Sequence, residues 1–262
     1  GLVTSGLSYS DFRSFESLTG FFLDFANRVQ ADYVTRYGAE SEQVKACFRG
    51  THGEPSVNLK IFEQILAEQP KITVLRQQSI HAVQSSEMKL GRKRIETVQL
   101  DDAEGGTTTI AAKMYIDASY EGDLMAMAGE SYHVGRESRS QYGEPLAGNA
   151  DGEADGQVQG YNLRLIMTAE ASNKWMPVAP EGYRREDFTG VLAVFASGKL
   201  KKVFGSGHEG IFRAHVPFLP NRKTDVNDTP RAAVRLSMPD INDDYPDGDA
   251  ATRAEIIRRH YA

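Results

Sequence analysis

Apolar positions change their period along this chain, and each change marks an expected element. Phe15, Leu18, Phe22, Phe25, Val29 and Tyr33 recur at three- and four-residue steps, which predicts an amphipathic helix over 15–36 stopped by Gly38. A second helix is predicted where Ser56 offers an N-cap ahead of Val57, Ile61, Ile65 and Leu66, and Pro70 ends it. From Lys71 the pattern shortens to strand-like runs at 72–75, 79–83, 94–100 and 107–116, with turn residues at 89–92 and 101–106. The expectation is two helices followed by a β-meander.

The last of these strands leads into 113–129, where apolar residues give way to Asp117-Ala118-Ser119 and then to a short predicted helix over 124–128. Ligands in open α/β sheets bind at the carboxyl ends of strands, and Ala118 and Ser119 are small enough for a ligand to approach the main chain. Residues 134–160 are rich in glycine and poor in large apolar side chains, and are read as a boundary or a lid. Strand-like runs follow at 161–168, 190–195 and 202–204, and Asp249 is placed to cap a final helix carrying Ala250, Ala254, Ile257 and Tyr261. Both ends look cut from a longer chain.

Composition narrows the function classes. With 262 residues, 40% of them hydrophobic, the chain can bury a sizeable core in one large or two smaller domains. A net charge of -6 and the lack of a long Lys/Arg block argue against nucleic acid and anionic membranes as partners, and no apolar run approaches the roughly 18 residues that span a bilayer. Cys47 is the single cysteine, so neither an internal disulfide framework nor a cysteine-based zinc site is available, and it is read as a small buried hydrophobe.

Several motifs carry chemistry on paper. Gly205-Ser206-Gly207-His208-Glu209-Gly210 has the letters of a dinucleotide fingerprint, but the residues after it are strand-like where a helix is required. Residues 151–156 echo a calcium loop, yet Asn162 stands at the twelfth position where the bidentate Glu belongs. No metal site is expected. Asp117, Glu121 and Asp123 form a carboxylate cluster, read either as an acid/base pair or as charges complementing the start of the short helix. The densest window is 215–227: His215, Asn221, Arg222, Lys223, Asp225 and Asn227 lie in a proline-stiffened segment, which suits a substrate pocket or a surface turn.

The stretch 113–129, extended through 132–138 and 142–148, closely resembles a family of bacterial FAD-dependent oxidoreductases within the glutathione-reductase-like flavoproteins. Residues 1–7, Glu54-Pro55-Ser56, 161–164 and 220–227 fit the same family, so the similarity covers nearly the whole chain and is most specific at 113–148. The resemblance implies FAD as cofactor, with Thr4, Ser5 and Gly6 near its pyrophosphate and flavin. It implies that Ile80 offers backbone to the adenine and that Asp117, Ala118 and Ser119 form the small-residue turn beside it, where the family usually has Ala-Thr-Gly. It places the family's glycine fingerprint before Gly1 and its returning segment after Ala262.

The fold implied is α/β: a partial FAD/NAD(P)-binding Rossmann-like domain with an inserted β-meander over 1–133, and a mixed α+β substrate domain over 134–262. The expected reaction is dehydrogenation of a small polar organic substrate by hydride transfer to flavin, which needs a base and a positive charge. Residue type and clustering nominate His215 as base, Lys223 or Arg164 as the charge, and Asp225 with Asn227 for substrate hydrogen bonding. Two other readings stay open on the residues alone: a carbohydrate-active hydrolase using Glu121 and Asp123, and a non-catalytic β-rich binding module.

Overall fold

The computed structural model describes residues 2–205, 210–216, 218–228, 236–238 and 240–261. Leaving aside short 3-10 turns, its elements in chain order are α1 (Gly20–Tyr37), α2 (Glu42–Ala46), α3 (Pro55–Ala67), β1 (Gln78–Glu87), β2 (Lys93–Asp102), β3 (Thr107–Ile110), α4 (Asp123–Met127), α5 (Arg139–Tyr142), β4 (Leu165–Thr168), α6 (Thr189–Ala196), β5 (Lys202–Gly205), β6 (Gly210–Ala214), β7 (Lys223–Asn227) and α7 (Ala250–Tyr261). They form two compact units, each assembled from two segments: Gly1–Pro70 with Gly160–Met238, and Lys71–Gln159 with Pro239–Ala262. The division expected near residue 133 falls inside the first segment of the second unit.

In the first unit the apolar stripe of α1 buries Phe25, Val29 and Tyr33 against Val57 and Ile61 of α3, with Cys47 filling the gap and Phe62 stacked on Phe25 at 4.6 Å between ring centres. Cys47 is therefore the buried small side chain its surroundings suggested. The helix expected over 15–36 is split, because Leu18 and Thr19 are extended and Gly20 has φ +59, so Phe15–Ser17 forms a separate 3-10 turn. In α3, Pro55 takes the first helical position, its fixed φ suiting that place, so the N-cap is Glu54 and not Ser56. Gly50, at φ +80, brings the loop after α2 onto α1 so closely that a Cβ there would sit 1.7 Å from the Ala26 carbonyl oxygen.

The same unit holds a four-stranded sheet in the order β4-β7-β6-β5. β7 is central, antiparallel to β4 with Ile166 opposite Asp225, and antiparallel to β6 with Ala214 opposite Val226. Residues 190–195 are helical, not the expected strand. A short apolar run has no decisive period, and here it continues a 3-10 turn at Arg185–Phe188, to which the Thr189 hydroxyl bonds through the Glu186 carbonyl at 2.9 Å.

The second unit carries the meander β1-β2-β3, antiparallel throughout. Its first turn signal corresponds to the 89–91 turn, and Asp102 Oδ1 closes the second by accepting the Glu104 and Gly106 amides. One expected strand is absent here and another is shortened. Residues 72–75 have no sheet partner among the described residues and remain exposed. β3 ends at Ile110 because Tyr115 folds back: its hydroxyl accepts from the Ala112 amide and reaches the carbonyls of Glu96 and Ile110, taking over groups a longer ladder would have used. Residues 134–160 form a closed loop, pinned where Arg136 and Asp155 exchange backbone hydrogen bonds and pair through their side chains. Asp249 caps α7 by accepting the Thr252 amide at 2.8 Å, as its position suggested.

Ile61, almost wholly buried between α1 and α3, is the position where loss of volume cannot be filled by solvent. Ile61→Ala is expected to lower unfolding free energy by about 2–5 kcal/mol in a urea titration of the full chain. A smaller loss than Ile-to-Val replacement gives, about 0.5–1.5 kcal/mol, would show that this face is not a packed core.

Candidate functional site

The first unit gathers Arg164, His215 and Asp225 on one sheet. Strand alternation puts Lys223, Asp225 and Asn227 on the same face of β7. Arg164 immediately precedes β4 and His215 immediately follows β6, so the two flanking strands bring a guanidinium and an imidazole to the central carboxylate from opposite sides.

Asp225 is fully buried, at 0% exposure, and both oxygens are occupied. Oδ1 pairs with His215 Nδ1; Oδ2 accepts from Arg164 Nη2 and from the Ser8 backbone amide, each at 3.1 Å. Burial pushes this carboxyl up, but the His215 hydrogen bond, the Ser8 amide and the neighbouring positive charges outweigh it and hold Asp225 below the usual carboxylate range. An ionised carboxylate only accepts hydrogen bonds, so the proton of a neutral His215 sits on Nδ1 and the lone pair is left on Nε2. Substrate hydrogen bonding, expected of Asp225, does not suit a carboxylate with no exposed surface and no unoccupied oxygen.

The other expected residues fall around this pair. Lys223 is bound at 2.7 Å to Glu54, whose carboxylate also accepts from the Tyr33 hydroxyl and from Asn221 Nδ2. The Tyr33 hydroxyl in turn accepts the Glu54 amide at 3.0 Å, which ties the central strand to α1 and to the start of α3. Asn227 Oδ1 accepts from Asn162 Nδ2 at 2.6 Å and from the Asp228 amide. Thr4, Ser5 and Gly6 lie in the same unit: Leu2–Thr4 is a 3-10 turn, the amides of Ser5, Gly6 and Leu7 converge on the Leu2 carbonyl, and Asn58 Nδ2 holds the Val3 carbonyl at 2.9 Å. Gly6 packs directly on Arg164, where a Cβ would meet the arginine's own Cβ at 2.3 Å.

Ile80, Asp117, Ala118 and Ser119 belong to the second unit. Ile80 pairs with Leu100 just before a register shift in β1. Asp117 Oδ1 accepts the Ser119 amide and hydroxyl, and Oδ2 accepts the Met125 amide, so Asp117 ties the turn to α4; these bonds hold its carboxyl below the usual range. Ala118 and Ser119 are exposed. Asp123 is gripped bidentately by Arg253 at 2.7 and 2.8 Å, and that guanidinium holds its carboxyl low. A carboxylate fixed in this way is a structural tie, so the hydrolase reading of Glu121 and Asp123 has no support.

Sequence reasoning missed Ser8, Tyr9 and Glu54. Tyr9 packs against the His215 ring at 5.1 Å and the His52 ring at 4.5 Å. None of the three sits in a recognisable motif, although the Glu54-Pro55 start of α3 was visible. The letters of the Gly205–Gly210 motif lie mostly outside the described residues, but β6 follows it as a strand, as its composition indicated. Among the described residues no group of three or more His, Cys, Asp or Glu side chains is placed to hold a metal ion, and no helix is long and apolar enough to cross a membrane.

A mixed α/β architecture with small-residue loops and a buried carboxylate–imidazole pair is compatible with a cofactor-dependent enzyme. The family model for FAD dependent oxidoreductases matches residues 1–262, and the chain belongs to that family. It is an oxidoreductase whose cofactor is FAD. No curated protein and no solved structure matches it. The fit to such a group rests on two atoms beside the loop of Thr4, Ser5 and Gly6, whose own Ser5 and Gly6 amides are bound to the Leu2 carbonyl. Ser8 Oγ and Arg164 Nε are buried polar atoms with no partner among the described residues, which a polar group supplied there would satisfy.

Because the folded pKa of Asp225 is depressed, its contribution to stability is present above the ordinary carboxylate range and is lost as pH falls through the folded value. Urea stability of the full chain is expected to drop on acidification below about pH 4, and this segment of the drop should be missing in Asp225→Asn. At neutral pH, Asp225→Ala is expected to cost about 3–5 kcal/mol by leaving Arg164 buried without its counter-charge. An Asp225→Ala protein as stable as the parent at pH 7 would refute this electrostatic account.

Proposed function

We propose that this protein dehydrogenates a small polar organic substrate at an O–H- or N–H-bearing carbon, with His215 as the base. The observation that carries the reading is the His215–Asp225 pair: a buried carboxylate on Nδ1 orients the imidazole and fixes its tautomer, leaving Nε2 to take a proton. Bound FAD supplies the hydride acceptor. Asp225 is a positioning residue in this scheme, and Arg164 is its counter-charge.

The charges explain why a base of this kind suits the reaction. Arg164 is matched by Asp225, and Lys223 by Glu54, so while His215 is neutral the ion pairs around it cancel. Proton transfer to Nε2 then gives the site one net positive charge, the sign that favours electron arrival at the cofactor. Lys223 and Arg164, expected to supply the charge, each hold a carboxylate, and in this scheme the charge arrives on His215 with the substrate proton. Thr4, Ser5 and Gly6 of the first unit are retained as residues proposed to contact FAD.

The test is anaerobic bleaching of the flavin absorbance in the FAD-loaded protein with a panel of small alcohols, amines and hydroxy acids. For any compound that bleaches the parent, His215→Gln is expected to reduce flavin about 10²–10⁴-fold more slowly with the cofactor still bound. Bleaching at the parent rate in that variant would remove His215 from the reaction.

A further inference from the structure

We infer that Tyr9 is a second positioning residue, whose ring fixes the plane of the His215 imidazole. The inference rests on the base assignment above and deepens it. The hydrogen bond from Nδ1 to Asp225 opposes rotation of the ring about Cβ–Cγ, but it acts at one edge of the ring and resists tilting only within the slack of a single contact. A base must also aim Nε2, and that requires a second contact on the ring face. Tyr9 supplies it: the two rings lie 5.1 Å apart, centre to centre, at an interplanar angle of 51°.

The neighbouring chain shows that Tyr9 is itself held. Ser8 and Tyr9 are consecutive and grip the two members of the pair, the Ser8 amide holding the carboxylate of Asp225 while the Tyr9 ring meets the imidazole. On its other side Tyr9 packs on His52 at 4.5 Å, and His52 stacks on Phe48 at 5.1 Å and 18°, so four rings run in series from Phe48 to His215. Ser10 Oγ donates to the Thr51 carbonyl at 3.1 Å, locking the Tyr9 loop to the segment that carries His52. Two titratable rings flank each other here without competing for the proton. Burial, and then the charge of Asp225, push the Tyr9 phenol up to about 12, and burial lowers the pKa of His52, so at neutral pH Tyr9 stays a neutral phenol and His52 a neutral imidazole. Proton exchange with substrate is thereby left to His215.

The mobility of the His215 ring reads this out without a substrate. In the full FAD-loaded chain, carbon relaxation at His215 Cε1 is expected to give an order parameter near the rigid value of about 0.85 in the parent and in Tyr9→Phe, which keeps the ring and loses only the hydroxyl. In Tyr9→Ala and Tyr9→Leu the value is expected to fall below about 0.6. With any compound that bleaches the parent flavin, Tyr9→Ala is expected to slow reduction about tenfold to a hundredfold with little change in substrate affinity, and Tyr9→Phe to restore the parent rate. A rigid His215 ring in both Tyr9→Ala and Tyr9→Leu overturns the inference, and so does a Tyr9→Phe protein as mobile and slow as Tyr9→Ala, which would assign the effect to the hydroxyl. A parent reduction rate in His215→Gln is a separate failure, because it removes the base that Tyr9 would position.

Discussion

The first unit depends on one buried negative charge. A carboxylate with no exposed surface is tolerated only when its charge is matched and its lone pairs are used, and Asp225 meets both conditions through Arg164, His215 and the Ser8 amide. Those three partners come from the segment before β4, the segment after β6 and the chain ahead of α1. Satisfying one side chain therefore fixes how the sheet, its flanking segments and the N-terminal loop meet. The close approach of Gly6 to Arg164 follows from the same demand, since any larger residue would push the loop off the arginine and withdraw the Ser8 amide.

A second buried carboxylate, Glu54 at the N-cap of α3, pairs with the same strand. It holds Lys223 and Asn221 at the start of β7 and Tyr33 in the helical core, so β7 is anchored at one end to the helices and in its middle, through Asp225, to Arg164 and His215. Asn221 reaches it from a left-handed backbone conformation, φ +58, which a non-glycine residue adopts at some cost. The strand that carries the proposed positioning carboxylate is thus rigid because its charges are paired, which is what orienting a base requires.

Local pattern made α1 and α3 legible because each buries a periodic stripe that needs nothing distant to declare itself; the meander was legible from its strand-like runs and turn residues, and α7 from its Asp249 cap, although Ile256 and not the expected Ile257 is the buried apolar residue of α7. The window 215–227 was conspicuous for its density of polar side chains, and the structure does bring His215 and Asp225 together. The roles within it were not legible. Ser8 meets Asp225 across 217 residues of sequence, and Tyr9 meets His215 across a similar span, so each reads locally as an ordinary loop residue. Lys223 looked like a free cation because Glu54, its partner, lies at the N-cap of a helix far upstream. The misread runs have a common cause: 72–75, 111–116 and 190–195 are short and largely apolar, and tertiary partners, not propensity, decide whether such runs coil, pair or stay extended.

The central claim is that an ionised, buried Asp225 sets the tautomer of His215 and so makes Nε2 the basic atom. Nitrogen chemical shifts of the neutral His215 imidazole in the FAD-loaded protein measure this directly. In that form Nδ1 is expected to be protonated and Nε2 bare and pyridine-like. A proton on Nε2 with Nδ1 bare would mean that Asp225 is not an ionised acceptor for the ring, and would contradict it.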